Sequence, residues 1–212
     1  MTLIKTLIDL FLHIDKNLAL VIANFGVWSY AILWFVLFME TGLVVTPFLP
    51  GDSLLFAAGA LTASMGSFNI VWLWGLMVIA AFVGDTVNYW IGHFIGPKAF
   101  TMKTGLLRKE YLDKAQAFYN KHGGMAIILA RFVPIVRTFA PFVAGVSKMN
   151  FIKFMVFNTL GGLAWVSLML WSGFFFGNIP VVKTNFHYVV LGIIFVSILP
   201  MVWEVIKAKN EK

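Results

Sequence analysis

Apolar and polar positions fall into long blocks along this chain. Residues 1–16 (MTLIKTLIDLFLHIDK) set Leu3, Ile4, Leu7, Ile8 and Phe11 at helical spacing against Lys5, Asp9 and His13. This pattern predicts an amphipathic helix lying in a membrane interface. Two acids, the lack of a clear basic leader and the lack of a small-residue cleavage site set it apart from a signal peptide. Residues 18–39 carry no charged side chain and are long enough for a full span. Residues 40–63 are also apolar, yet they hold Glu40, Asp52, Pro47, Pro50 and Gly51. Residues 68–95 form the next long apolar block, interrupted by Gly84-Asp85.

The polar block 97–122 spaces Leu107, Tyr111, Ala115 and Phe118 along one helical face and pairs Glu110 with Lys114. It predicts a helix on the membrane surface, stopped by Gly123-Gly124. Residues 125–147 again mix charge and proline into an apolar stretch, with Arg131, Pro134, Arg137, Pro141 and Gly145. Residues 154–176 and 188–205 read as plain spans, the second with Pro200 near its end.

Composition removes most alternatives. The chain is 60% hydrophobic and 12% charged, with a mean hydropathy of +0.89. A soluble domain carries about twice that charged fraction. The fold class is therefore an all-α integral membrane protein, a single membrane domain over 1–212. There is no cysteine, which excludes disulfides, thiol catalysis and thiolate metal sites. The net charge of +7 would suggest nucleic acid in a soluble protein, but here it sets orientation.

Residues 97–122 carry six basic residues, Lys98, Lys103, Arg108, Lys109, Lys114 and Lys121, and so belong in the cytoplasm. If 40–63 and 125–147 both crossed the bilayer, six spans from a cytoplasmic N-terminus would put that loop outside. If both dip in and return, four spans remain. The N-terminus, the loop, Lys148, Lys153 and the tail with Lys207, Lys209 and Lys212 then all lie inside. The two re-entrant hairpins enter from opposite faces. They share Phe48-x-Pro50 with Ala58-Gly59, and Phe132-x-Pro134 with Ala144-Gly145, which suggests an inverted repeat of the kind that builds transport sites.

Arg131 and Arg137 are the sharpest chemical signal. A guanidinium at the bilayer centre costs at least ~2.5–3.5 kcal/mol unless paired or hydrated. Six residues turn an unbroken helix about 600°, so the two would diverge; a break at Pro134 lets them converge. Two convergent guanidiniums suit a phosphate, which accepts bidentate donors. The plainer alternatives are that they neutralise Glu40 and Asp52, or snorkel to the interface. Desolvation and a nearby arginine act oppositely on a carboxylate's proton, which makes Glu40 and Asp52 candidates for proton coupling. The bland readings are a solvated Glu40 and an Asp52 that caps a helix.

Asp85, with Asn88 and Tyr89 beside it, either supports this site or bonds across to another helix, the second being the plainer reading. The small-residue spacings Gly92/Gly96 and Gly173/Gly177 suit close helix approach but leave the oligomeric state open. His13, His93, His122 and His187 lack metal-ligand spacing. No Gly-rich phosphate loop, G-x-S-x-G or H-E-x-x-H occurs. These absences argue against an enzyme and imply no cofactor, no metal and no nucleic-acid partner.

Glu40-Thr-Gly-Leu, Phe48-Leu-Pro-Gly-Asp52-Ser, Gly84-Asp85-x-x-x-Tyr89-x-x-Gly92 and Arg131-Phe-Val-Pro-x-x-Arg137-Thr together resemble the DedA family of bacterial inner-membrane proteins. That family is related to the eukaryotic VTT-domain (SNARE-associated Golgi) proteins. A basic residue often follows Gly92 in the family, where this chain has His93. The resemblance implies opposed re-entrant hairpins in the cytoplasmic membrane. It also implies a role in returning polyprenyl (undecaprenyl) phosphate carrier lipid across that membrane, driven by protons or monovalent cations. Carried over by position, Glu40 and Asp52 match the family's essential acids and Arg131 and Arg137 its essential arginines. The competing expectation is a proton-coupled cation antiporter using the same carboxylates. A membrane phosphatase is disfavoured, because no histidine lies near the arginines to serve as the base that such chemistry commonly places beside its nucleophile.

Overall fold

The computed structural model describes residues 14–43, 51–66, 68–95, 109–132, 134–177, 179–185, 188–189 and 192. Among them every regular element is helical: α1 (Ile14–Phe25), α2 (Trp28–Gly42), α3 (Gly51–Met65), α4 (Ile70–Ile95), α5 (Lys109–His122), α6 (Met125–Ala130), α7 (Pro134–Val146), α8 (Phe151–Phe176) and α9 (Pro180–Thr184). The expectations on residues 1–13, Pro47, Pro50, residues 97–108 and most of 188–205 lie outside the described residues.

α4 and α8, each 26 residues long, are the two helices among the described residues long and apolar enough to cross a membrane. Their large apolar side chains also point outward: Trp72, Phe94 and Ile152 are 72%, 81% and 73% exposed. In water such a surface would be a liability; in lipid it is the matching solvent.

The apolar block 18–39 is not one continuous helix. Gly26 adopts φ +51°, its N–H closing onto the Ile22 carbonyl at 2.9 Å while its own carbonyl accepts from Ser29 N at 3.1 Å. α1 ends there and α2 begins two residues on. Glycine takes the left-handed conformation without steric cost, as at many helix C-termini. Hydropathy carries no record of a backbone angle, so the block reads as unbroken. The buried Ser29 fixes the break by donating to the Val21 carbonyl at 3.2 Å.

The chain forms two compact units, one of residues 1–35, 50–77 and 166–196, the other of 36–49, 78–165 and 197–212. In the first unit α1 packs on α3. α3 in turn lies against the second half of α8: a Cβ at Gly59 would overlap the Leu170 carbonyl, and one at Gly173 the Phe56 carbonyl. Trp74 Nε1 donates to Ser167 Oγ at 2.8 Å.

In the second unit α7 lies against the second half of α4 in the same manner. A Cβ at Gly145 would overlap the Tyr89 carbonyl, and one at Gly92 the Phe142 carbonyl. The same crossing is therefore built twice, from Phe56-x-x-Gly59 on Leu170-x-x-Gly173 and from Phe142-x-x-Gly145 on Tyr89-x-x-Gly92. Each short helix packs on the long helix that does not follow it in the chain.

α5 packs on α7, with Ser147 Oγ donating to Gln116 Oε1 at 2.7 Å and Tyr119 set against a core that includes Tyr89, Val136, Ala144 and Phe154.

Candidate functional site

The second unit gathers its charges where helices end or cross. α6 stops at Ala130, with Arg131 as its C-cap, and α7 starts at Pro134. Proline suits a first helical turn because that position needs no N–H donor. The break expected at Pro134 is thus present. Pro141 is different: it lies inside α7, which continues to Val146, so it does not break the hairpin. Its missing N–H removes a helical donor to the Arg137 carbonyl, and its ring crowds that carbonyl. Gly51 opens α3, and Gly145 serves close packing rather than a turn.

Arg131 forms a buried ion pair with Asp85 through Nη2 and Oδ2. The same Nη2 donates to Asn158 Oδ1 at 2.6 Å, while Asn158 Nδ2 donates to the Phe82 carbonyl at 3.2 Å. The arginine stem runs over a gap in α8: a Cβ on Gly161 would lie 3.0 Å from Arg131 Nε. Arg137 pairs with Glu40, Nη2 to Oε1, from the last turn of α2. Glu40 is 2% exposed, and its Oε2 has no hydrogen-bond partner among the described residues.

Both guanidiniums lie over one ring. The Arg131 Cζ is 5.8 Å and the Arg137 Cζ 5.2 Å from the centroid of Trp165, within the range of cation–π attraction. The two arginines, both carboxylates, Trp165, Thr41 and Thr138 line one cavity of about 10 Å³, room for about one water. Two positive and two negative groups share it, so the site as seen is charge-compensated and closed to anything of phosphate size.

Asn88, fully buried, fastens the frame. Its Nδ2 donates to the Thr41 carbonyl at 3.2 Å and to the Thr138 carbonyl at 2.9 Å, the residues next to Glu40 and Arg137. α2 reaches α4 closely because Gly42 and Gly84 face each other; a Cβ on Gly42 would lie 3.3 Å from the Gly84 Cα. Asp85 follows directly and is thereby delivered to the site.

Of the residues singled out from sequence, Glu40, Asp85, Arg131 and Arg137 are brought together. The plainer expectation for Asp85, a bond across to another helix, describes its contact with Arg131 correctly. That contact also makes Asp85 part of the charged cluster. Tyr89 is one turn away and donates from its hydroxyl to the Met149 carbonyl at 2.6 Å, a structural contact behind the site. Asp52 lies in the first turn of α3, in the first unit. Sequence reasoning missed Asn158 and Trp165. Their signal was the spacing Asn158-x-x-Gly161-Gly162-x-x-Trp165, one stripe of a helix, inside a block that otherwise reads as a plain span. No group of three or more His, Cys, Asp or Glu side chains suited to a metal occurs among the described residues.

Comparison with known proteins shows the family to which this sequence belongs. The VTT domain matches residues 49–175. Protein DedA of Escherichia coli K12 is 56% identical over 99% of this chain and 97% of its own length. A Mycobacterium tuberculosis protein described as an uncharacterized membrane protein is 43% identical over 82% of this chain and 79% of its own. The E. coli inner membrane protein YqjA is 37% identical over 72% and 69%. No solved structure matches. A shared domain across more than half the chain, and 56% identity along nearly all of it, make this chain a member of the DedA family of VTT-domain membrane proteins.

Proposed function

We propose that the protein is a transporter that moves a polyprenyl phosphate carrier lipid (undecaprenyl phosphate) across the bacterial cytoplasmic membrane, coupled to protons or monovalent cations. The observation that carries this reading is the convergence of Arg131 and Arg137 on Trp165 at the α6–α7 break, each held by a carboxylate. A buried arginine–carboxylate pair is a closed latch for an anion. Protonating the carboxylate releases the guanidinium, and a phosphate then takes the vacated acceptor positions. Arg131 and Arg137 bind the head group in this scheme; the releasing protons go to Asp85 and Glu40, the carboxylates in contact with them, and Asp52 joins Glu40 as a proton-coupling acid. The prenyl tail stays in lipid throughout.

The same proposal includes four spans, two opposed re-entrant hairpins (40–63 and 125–147) and cytoplasmic termini, since only that arrangement puts every basic cluster inside. Irregular backbone at membrane depth is tolerated where protein or a water-filled cavity satisfies it, and the buried Arg131 that ends α6 has such surroundings.

Full charge compensation within the cavity gives weight to a second reading. A proton-coupled cation antiporter would use Glu40 and Asp52 as exchange sites, with the arginines as internal counter-ions. Translocation of undecaprenyl phosphate in proteoliposomes separates the two, comparing wild type with Arg131→Ala/Arg137→Ala. Transport that disappears in the double variant supports the lipid reading. A well-folded wild type that moves no lipid but exchanges protons for cations across a cation gradient overturns it.

A further inference from the structure

We propose that Trp165 is a positioning residue for anion binding: its buried indole holds both guanidiniums together after their carboxylates let go. This rests on the reading of Arg131 and Arg137 as phosphate ligands.

Two guanidiniums in one small, water-poor cavity repel each other, and the repulsion is strong where the dielectric is low. While Asp85 and Glu40 are charged and in contact, each arginine has its own compensation. These partners come from different helices, Asp85 from α4 and Glu40 from α2. Once protonated, they no longer fix where the arginines point. The ring between them does not titrate. Trp165 is 2% exposed and stands on α8, which runs unbroken from Phe151 to Phe176.

The rest of the α8 face has the shape of an arginine cradle. Asn158 accepts from Arg131 at 2.6 Å. One turn on, Gly161 leaves room for the stem, since a Cβ there would lie 3.0 Å from Arg131 Nε, and a Cβ at Gly162 would meet Arg131 Nη2 at an ordinary contact distance of 3.5 Å. A further turn on, Trp165 presents its ring to both cations. The positions fall at i, i+3/i+4 and i+7, a single helical stripe. Cation–π attraction is strongest for tryptophan and grows when the pair is desolvated. A shared ring therefore keeps the two forks in one arrangement, and the pair acts as a single receptor for a bidentate oxyanion.

The test replaces Trp165 alone with 5-fluoro- and then 5,7-difluorotryptophan, by site-specific incorporation in the full chain in nanodiscs. Fluorine withdraws charge from the ring face and barely alters its shape, so folding is retained. The probe is farnesyl monophosphate, titrated into wild type, the fluorinated series and Arg131→Gln/Arg137→Gln. The expected result is a stepwise fall in affinity, roughly tenfold over the series, and loss of binding in the double arginine variant. The ¹⁹F resonance of 5-fluoro-Trp165 should also shift in Arg131→Gln and in Arg137→Gln without any ligand. If the arginine variant loses binding while the fluorinated series stays flat, the ring is mere packing and the inference is wrong. If the arginine variant binds as well as wild type, the phosphate reading itself fails and takes this inference with it.

Discussion

Asp85 is the counter-charge of Arg131, and neutralising it leaves a guanidinium 6% exposed with no carboxylate beside it. Removing one partner of a buried pair costs about 3–5 kcal/mol, far more than removing both. Asp85→Asn should therefore lower the unfolding free energy of the detergent-solubilised protein by that amount. Asp85→Asn/Arg131→Gln should regain most of the loss, which chemical denaturation of the three proteins would measure. Equal destabilisation of the single and double variants would show that the pair is not what holds this region. The prominence of the two arginines was legible from sequence, because a charge inside an apolar block has few reasons to be there. Their partners were not. Glu40, Asp52 and Asp85 all qualify by type, and only folding delivers Asp85 to Arg131 and Glu40 to Arg137.

At the scale of elements, the molecule depends on glycines that let helix backbones touch. Gly59 and Gly145 each face a carbonyl of a neighbouring helix, which cannot move aside as a flexible side chain would. Overpacking such a contact typically costs 1–3 kcal/mol, and occasionally more. Gly59→Leu and Gly145→Leu should each sharply reduce the folded fraction that survives heating, followed by size-exclusion chromatography. Gly75, inside α4, has nothing within 4 Å of its would-be Cβ. Gly75→Ala should accordingly leave stability unchanged or raise it by up to about 1 kcal/mol. The helices themselves were legible as apolar blocks, and the break before Pro134 as proline within one. The break at Gly26 was not, since a glycine in a long apolar run signals a kink, a contact or nothing until its φ is known. Pro141, by contrast, lies inside α7, which passes through it; a proline in an apolar run does not say by itself whether the helix ends there.

For the whole molecule, the absence of native cysteine makes topology directly measurable. Under the four-span proposal, Ser64→Cys should react with an impermeant maleimide added to intact spheroplasts. Asp113→Cys should react only after the membrane is opened. Both positions are exposed in the structure. The reverse labelling would favour six spans, with 40–63 and 125–147 each crossing the bilayer.

Sequence alone determined the class of protein and its orientation signals, because both follow from bulk quantities: apolar block length against bilayer thickness, and the distribution of basic residues between blocks. It also singled out residues near 131–137, because a charge inside an apolar block is too costly to be incidental. Tertiary structure alone decided which acid meets which arginine, that Asn88 ties the backbone beside Glu40 to that beside Arg137, and that Trp165 lies under both guanidiniums. Such pairings join residues far apart in the chain, and nothing local encodes them. They are set by the positions at which glycines allow three helices to cross.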